Sequence, residues 1–564
     1  VRVLQSVLLA LAALVPAALF AQPSEPPRLV LQITVDQLRG DLLERYRERF
    51  GQGGFRYLME NGTVFRDAHH AHANTETIVG HSTLATGAYP AVHGMIGNEW
   101  LNRELNRISY CVEDDRYVLL TAGAGVNQQT EIDPTQKAAG SEGRSPAVLL
   151  VSTFSDELAL GSNGRAKVFA VSVKDRGAIP MAGHAGKAFW FSKERGEFVT
   201  SSYYYPAYPQ WVDDWNAQQR PAAYGDSAWE LLAEPQQYRF GAQDDRPWEI
   251  DVAGFGRTFP HRFGPADGKY FNTYLTFSPA GDVLSAEFAK AVIENEGLGV
   301  DEVTDYLSVS FSSVDYIGHA FGPASLESED GILRLDRTLA DLLAFVNSSV
   351  GLKRVLIVLS ADHGSPDVPG YLREQGIDAG YVDLHSWDWQ PLWSALKQRF
   401  GVDGKQLIQS YYHPYVYLDR KVMQQNHLVQ AEVEQAVADE LAKFPHVWAA
   451  LSSSALRQGR AAASELNRLL LNDLNAARSG DVYVVFDPNW FINDFGDATV
   501  AASHGSPWTY DTFVPLIFAG PGVPAAEVFR PVQTVDLAPT LSAFLRIKMP
   551  SGASGKPLPE VLGN

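Results

Sequence analysis

The sequence has a single cysteine, Cys111, among 564 residues. That excludes an intramolecular disulfide and any thiolate-based zinc cluster, so a metal site here has to be built from His, Asp and Glu. Positive charge is also scarce: 46 Lys and Arg stand against 66 Asp and Glu, for a net charge of -20. A field of that sign repels the phosphate backbone of nucleic acids, which argues against DNA or RNA as a partner. It also means that an anionic substrate needs local positive charge, from a metal or a few placed cations. Long hydrophobic runs are confined to the N-terminus, and no later segment approaches the roughly 20 continuous apolar residues of a membrane span. The chain has no fixed-period repeat and no low-complexity tract.

What is present is globular composition, 45% hydrophobic with 20% charged residues, in a length that buries a sizeable core. The N-terminus reads Arg2, then an apolar run over 3–20 broken only by Gln5, Ser6 and Pro16, then Ala21 before a Pro-rich stretch. This predicts a secretory signal peptide over 1–21, cut near Ala21, and a linker over 22–27. The expected location is the exterior or periplasm of a bacterium. Residues 28–550 are expected to form one catalytic domain, and 551–564 a C-terminal tail.

Short apolar, β-branched runs at 29–35, 167–173, 306–311, 354–359, 482–486 and 514–518 read as buried parallel strands. Helical patterns lie between them, at 146–158, 282–294, 332–345 and 429–443. The alternation predicts an α/β fold with a mostly parallel central sheet and helices on both faces. Two stretches interrupt it: 198–271, rich in Tyr, Trp and Pro with little regular structure, and 370–480, expected to be mostly helical. Both are expected to be insertions over an active site.

In open parallel sheets ligands bind beyond the carboxyl ends of the strands, and here those positions carry acids and imidazoles. The first strand ends in Asp36, the run to Phe311 leads to Asp315 and His319, the run to Leu359 leads to Asp362 and His363, and His504 follows late in the chain. A lone Asp after a strand is ordinarily a cap or turn residue, and a lone His a satisfied core or surface group. Six of them together suit borderline divalent metal such as zinc: six ligands serve two ions, each with a coordination position left open. A helix expected to start around Thr77 and Ile78 puts a hydroxyl beside the free amides of its first turn, a place for an anion and a metal-activated nucleophile as well as for a plain N-cap. Lys174 and Arg176, directly after a strand, can present two cations to one anionic group, although such pairs usually lie on the surface.

Asp36, Thr77-Ile78-Val79-Gly80-His81, Thr86-Gly87, His93-Gly94, Gly97-Asn98, Asp315-x-x-x-His319, Asp362-His363-Gly364, His504-Gly505 and the segment Val535 to Thr540 resemble the alkaline phosphatase superfamily in order and local spacing. The Thr at the nucleophile position, Gly97 to Trp100 and Lys174-Asp175-Arg176 look most like the PafA-type alkaline phosphatases, periplasmic phosphate monoesterases. The resemblance implies an alkaline-phosphatase-like sandwich and two Zn2+ ions. One would be held by Asp315, His319 and His504, the other by Asp36, Asp362 and His363, with Thr77 bridging toward the second. Asn98, Lys174 and Arg176 would bind the phosphoryl oxygens. Glu76, beside the nucleophile, has no place in that pattern. The expected reaction is hydrolysis of small phosphate monoesters through a phosphothreonine, by a monomer without a membrane span after signal cleavage. A phosphodiesterase or nucleotide pyrophosphatase on the same core is the near alternative, and a non-catalytic metal- or phosphate-binding protein the distant one. A sulfatase is discounted, because Cys111 is followed by Val112, Glu113 and Asp114 rather than by that family's motif.

Overall fold

The computed structural model describes residues 25–495 and 499–563. The expected signal peptide and the first half of the linker lie outside the described residues. The central sheet has nine strands: β1 (Leu29–Val35), β2 (Gly62–Phe65), β3 (Val168–Ser172), β4 (Lys187–Ser192), β5 (Glu197–Val199), β6 (Asp305–Phe311), β7 (Val355–Ser360), β12 (Leu516–Ala519) and β13 (Ala526–Val528). Between β7 and β12 the chain builds a second sheet from β8 (Ile408–Tyr412), β9 (Tyr415–Leu418), β10 (Val447–Ser452) and β11 (Val482–Phe486).

The strand order is β13-β2-β12-β7-β1-β6-β3-β4-β5. Its centre is parallel: β1 pairs with β6 and β7, β6 with β3, and β3 with β4. Because β1 lies in the middle, the carboxyl ends of β7, β1, β6 and β3 open on one edge. Side chains alternate across the sheet. Leu29, Leu31, Ile33 and Val35 pack toward helices Pro279–Glu296 and Leu326–Ser349, whereas Val30 faces the helices Phe154–Gly161 and Leu537–Leu545. Both faces are thus covered, which is why every β1 residue is buried and why the strand is mostly apolar, with Gln32 and Thr34 its polar members.

Two expected parallel strands are placed otherwise. The run expected at 514–518 is β12, which pairs antiparallel with both β7 and β2. The run at 482–486 is β11, in the four-stranded antiparallel sheet β8-β9-β11-β10. A buried apolar run carries no information about strand direction or sheet membership. Helices predominate in the stretch 370–480 as expected, but it also carries β8, β9 and β10: helices such as Gln430–Leu441 pack on that sheet around a core that includes Leu392, Leu396, Val416, Val433, Val437 and Val484. The stretch 198–271 matches the expectation of little regular structure, with one eight-residue helix, Gln210–Ala217. Residues beyond 550 remain packed, with Leu558 and Val561 buried beside Leu541. Among the described residues no helix is long and apolar enough to cross a membrane.

Candidate active site

Four strand ends meet at one point. Asp36 follows β1 directly, and Asp362 and His363 follow β7 after Ala361. β6 runs into helix α3 (Ser313–Phe321), whose Asp315 and His319 share a face at i and i+4. β3 runs into α2 (Asp175–Ala182), preceded by Lys174. Over these ends sits α1 (Thr77–Thr86), whose first residue is Thr77. The helix can approach only because Gly80 faces Asp362: a Cβ there would lie 1.9 Å from the Asp362 carbonyl oxygen.

The ligating atoms converge in two groups. Donor atoms of Asp315, His319 and His504 lie within 4.8 Å of one another, and so do those of Asp36, Asp315 and His363. Asp315 stands between the groups, with its Oδ1 at 3.3 Å from His319 Nε2 and 3.5 Å from His504 Nε2. Asp362 borders the second: its Oδ1 accepts from the Gln37 and His363 amides, and its Oδ2 lies 3.6 Å from His363 Nε2.

The chemistry of these donors fits divalent metal. Asp36 Oδ1, Asp362 Oδ2 and His363 Nε2 are buried without a hydrogen-bond partner, which is costly unless a cation takes them. The three imidazoles are set for it. His319 Nδ1 donates to Ala502 O (2.8 Å), His504 Nδ1 to Thr75 O (2.7 Å) and His363 Nδ1 to Gly364 O (2.9 Å). A carbonyl oxygen only accepts, so each ring carries a hydrogen on Nδ1 and turns its Nε2 to the site. Burial pushes His363 down to about 3, keeping it a neutral ligand. Burial, with the neighbouring Asp362, drives the Asp36 carboxyl well above its usual range. Asp362, by contrast, is held below its usual range against burial by His363 and His81.

The cations occupy two depths. Lys174 is fully buried, and its ammonium bonds Asp36 Oδ2 (2.8 Å) and Asp315. It lies beneath the acids rather than in the cleft wall. Burial opposes its charge, but Asp315 and Asp36 raise its pKa and keep it protonated. Arg176 does line the cleft, with Thr77 and Asn98. Its Nη2 donates to Asp133 Oδ2 (2.9 Å), while its Nε, also buried, has no partner. Asn98 Oδ1 accepts the first-turn amide of Ile78 (3.1 Å), which leaves the Asn98 amide hydrogens for the cleft.

The cleft encloses about 440 Å³, walled by Ile250 to Ala253, Tyr411 to His413, Trp490 and Trp508. Each expected insertion thus contributes to the cleft wall.

Asp133 escaped the sequence reading, and His81 and Asn74 were given no role in it. Asp133 stands in a turn before Pro134 with no motif around it. His81, four residues after Thr77, was visible in the motif: its Nδ1 bonds Thr77 O (2.8 Å) and lies 3.1 Å from Asp362 Oδ2, tying the helix start to the second metal group.

Residues 30–507 match the family model described as type I phosphodiesterase / nucleotide pyrophosphatase. The alkaline phosphatase PafA of Elizabethkingia meningoseptica is 34% identical over 543 residues, covering 95% of this chain and 95% of that one. The alkaline phosphatase PhoV of Synechococcus elongatus is 35% identical over 97% of this chain and 95% of its own. The crystal structure of wild-type PafA superposes with a TM-score of 0.84 at 33% identity, over 95% of this chain and 99% of that one. With most of its length matched and the fold shared, the chain belongs to the type I phosphodiesterase / nucleotide pyrophosphatase family of the alkaline phosphatase superfamily.

Proposed function

We propose that this chain is a secreted alkaline phosphatase, a phosphoric monoester hydrolase that works through a phosphothreonine on Thr77 with two zinc ions. The observation that carries the reading is the orphaned donor set at the helix start: Asp36 Oδ1, Asp362 Oδ2 and His363 Nε2, at the strand ends under α1. Relatives named alkaline phosphatases support it, as does a solved PafA variant with a threonine, an asparagine, a lysine and an arginine replaced. The Thr-to-Asn and Lys-to-Arg separations in that variant equal those between Thr77 and Asn98 and between Lys174 and Arg176.

Zinc held by Asp315, His319 and His504, and by Asp36, Asp362 and His363, would supply Lewis-acid charge at the attacking and leaving oxygens. The chain's own part is positioning. Thr77 Oγ forms a bond to phosphorus as the bond from phosphorus to the leaving oxygen breaks, and its proton passes to solvent. The leaving alcohol takes up a proton. Asn98 and Arg176 hold nonbridging oxygens of the dianion, and Lys174 adds positive charge beneath. Water then attacks phosphorus from the vacated side, releasing inorganic phosphate and restoring Thr77.

The Arg176 guanidinium in the cleft wall favours a monoester dianion over a diester. Export is supported by the leader reading of residues 1–21. The deciding experiment quenches turnover of a phenyl phosphate monoester in acid and maps the phosphorylated residue by mass spectrometry. Label on Thr77, absent in Thr77→Ala, is expected; label on Thr75, Ser82 or any other residue overturns the assignment.

A further inference from the structure

The segment before α1 is the hub on which the site is assembled. Thr75 O accepts from His504 Nδ1 (2.7 Å), and Thr75 Oγ donates to Ser506 O (3.0 Å), so this segment fixes one metal-ligand loop. Asn74 Nδ2 donates to Ile96 O (2.8 Å) and to Glu76 Oε1 (3.1 Å), which anchors the loop leading to Asn98. Glu76 Oε2 accepts the backbone N–H of Asn98 itself (2.5 Å). Asn98 Oδ1 then closes the circuit on the amide of Ile78, one residue after Thr77.

An acid beside a nucleophile that receives a phosphate dianion looks misplaced, since its charge repels the substrate. The geometry removes the conflict. Both Glu76 oxygens are engaged by donors of the Asn74 and Asn98 loops, so the charge is consumed in holding those loops.

We propose that Glu76 is a positioning residue for the phosphoryl-binding asparagine, clamping the Asn98 backbone so that its side-chain amide spans from the Ile78 N–H to the substrate. This rests on the reading of the cleft as a phosphomonoesterase site. Glu76 touches no reacting atom and acts through Asn98. Without the clamp the loop loses its charge-assisted bond and Asn98 is no longer held against α1.

The test is a double-mutant cycle on the zinc-loaded full chain, reading kcat/KM for a phenyl phosphate monoester and the inhibition constant of inorganic phosphate. Losing a hydrogen bond to a charged group is expected to make Asn98→Ala cost about ten- to a hundredfold in kcat/KM, with Glu76→Ala approaching it. The combination should lie within about twofold of Asn98→Ala alone, because the clamp has nothing left to position. Glu76→Gln keeps one acceptor for the Asn98 N–H and should recover part of the loss. If Glu76→Ala does not fold, Glu76→Gln replaces it in the cycle with the same expectation of non-additivity. Multiplying losses, or full activity in Glu76→Ala, overturn the proposal while leaving the phosphatase reading intact. No effect of Asn98→Ala instead overturns the reading of Asn98 as a phosphoryl ligand, and the proposal with it.

Discussion

Gly80 in α1 and Asp362 just after β7 are in close contact: a Cβ on Gly80 would lie 1.9 Å from the Asp362 carbonyl oxygen. The distance between Thr77 and the second metal group is therefore set by the absence of one side chain.

Gly80→Ala is expected to lift α1 off the strand end. Overpacking of this kind costs about 1–3 kcal/mol of stability. The kcat/KM for a monoester should fall further than that loss explains, since the hydroxyl moves relative to Asp36, Asp362 and His363. Thermal unfolding and steady-state kinetics on the same preparation check it. An unchanged Tm and unchanged activity would mean that the helix and strand do not meet as described.

Chelation should abolish hydrolysis and also lower Tm, because Asp36, Asp315 and Asp362 then face one another with Lys174 as the one buried ammonium among the described residues. Zinc should restore both. Asp362→Asn keeps the shape but removes a charge, and metal analysis should show occupancy falling from two ions toward one. Its activity loss should exceed the roughly 10–100-fold typical of residues that only support a ligand. Metal-free protein with full activity would refute the two-zinc reading.

Lys174→Ala combined with Arg176→Ala should depress monoester kcat/KM far more than diester kcat/KM: the charge-assisted Arg176 contact is worth about 1.5–3 kcal/mol, or roughly ten- to a hundredfold, and Lys174 adds positive charge from beneath. Asp133→Ala should give a smaller loss of the same selectivity, since Asp133 orients the Arg176 guanidinium through the 2.9 Å contact. Equal losses on both substrates would indicate general damage to the site instead.

Away from the cleft, Asp156 accepts the amides of Thr153, His184 and Ala185 and pairs with His184 Nδ1 at 2.8 Å. Burial works against it, but His184 and these amides hold its carboxyl below the ordinary range, and the Asp156 bond raises His184. The signs follow from linkage. The Asp156 contribution is present above its unfolded pKa and is lost as pH falls through its lower folded value. The His184 contribution is present below its unfolded pKa and is lost as pH rises through its higher folded value. Asp156→Asn should therefore destabilise by about 1–3 kcal/mol near pH 5 to 6. The gap to wild type in denaturant unfolding should narrow toward both acid and alkaline pH. A gap that does not change with pH would refute the ion pair.

The central strands were legible because strands buried on both faces are mostly apolar and β-branched, and the acids and imidazoles stood out because they follow those runs closely. Helix α1 was legible around Thr77 from its motif. The direction of β12 and the sheet membership of β11 were not, because an apolar run of five residues satisfies a parallel, an antiparallel or a separate sheet equally well. The sheet within 370–480 was missed for a related reason: short strands such as β8, with the mixed sequence IQSYY, carry a weak period beside the strong one of Gln430–Leu441.

The division at the site is sharper. The sequence by itself determined the kinds of ligand available, since one cysteine leaves only carboxylates and imidazoles, and it ordered them along the chain after their strands. Only the tertiary structure decided which nitrogen each imidazole turns inward, because that depends on carbonyls as distant in sequence as Thr75 is from His504. It also decided that Asp133 steers Arg176, that Lys174 lies under the acids, and that Glu76 gives one oxygen to Asn74 and the other to the Asn98 amide. Such contacts join residues from separate strands and loops, and a hydrogen bond is specified by the position of both partners, which local sequence does not encode.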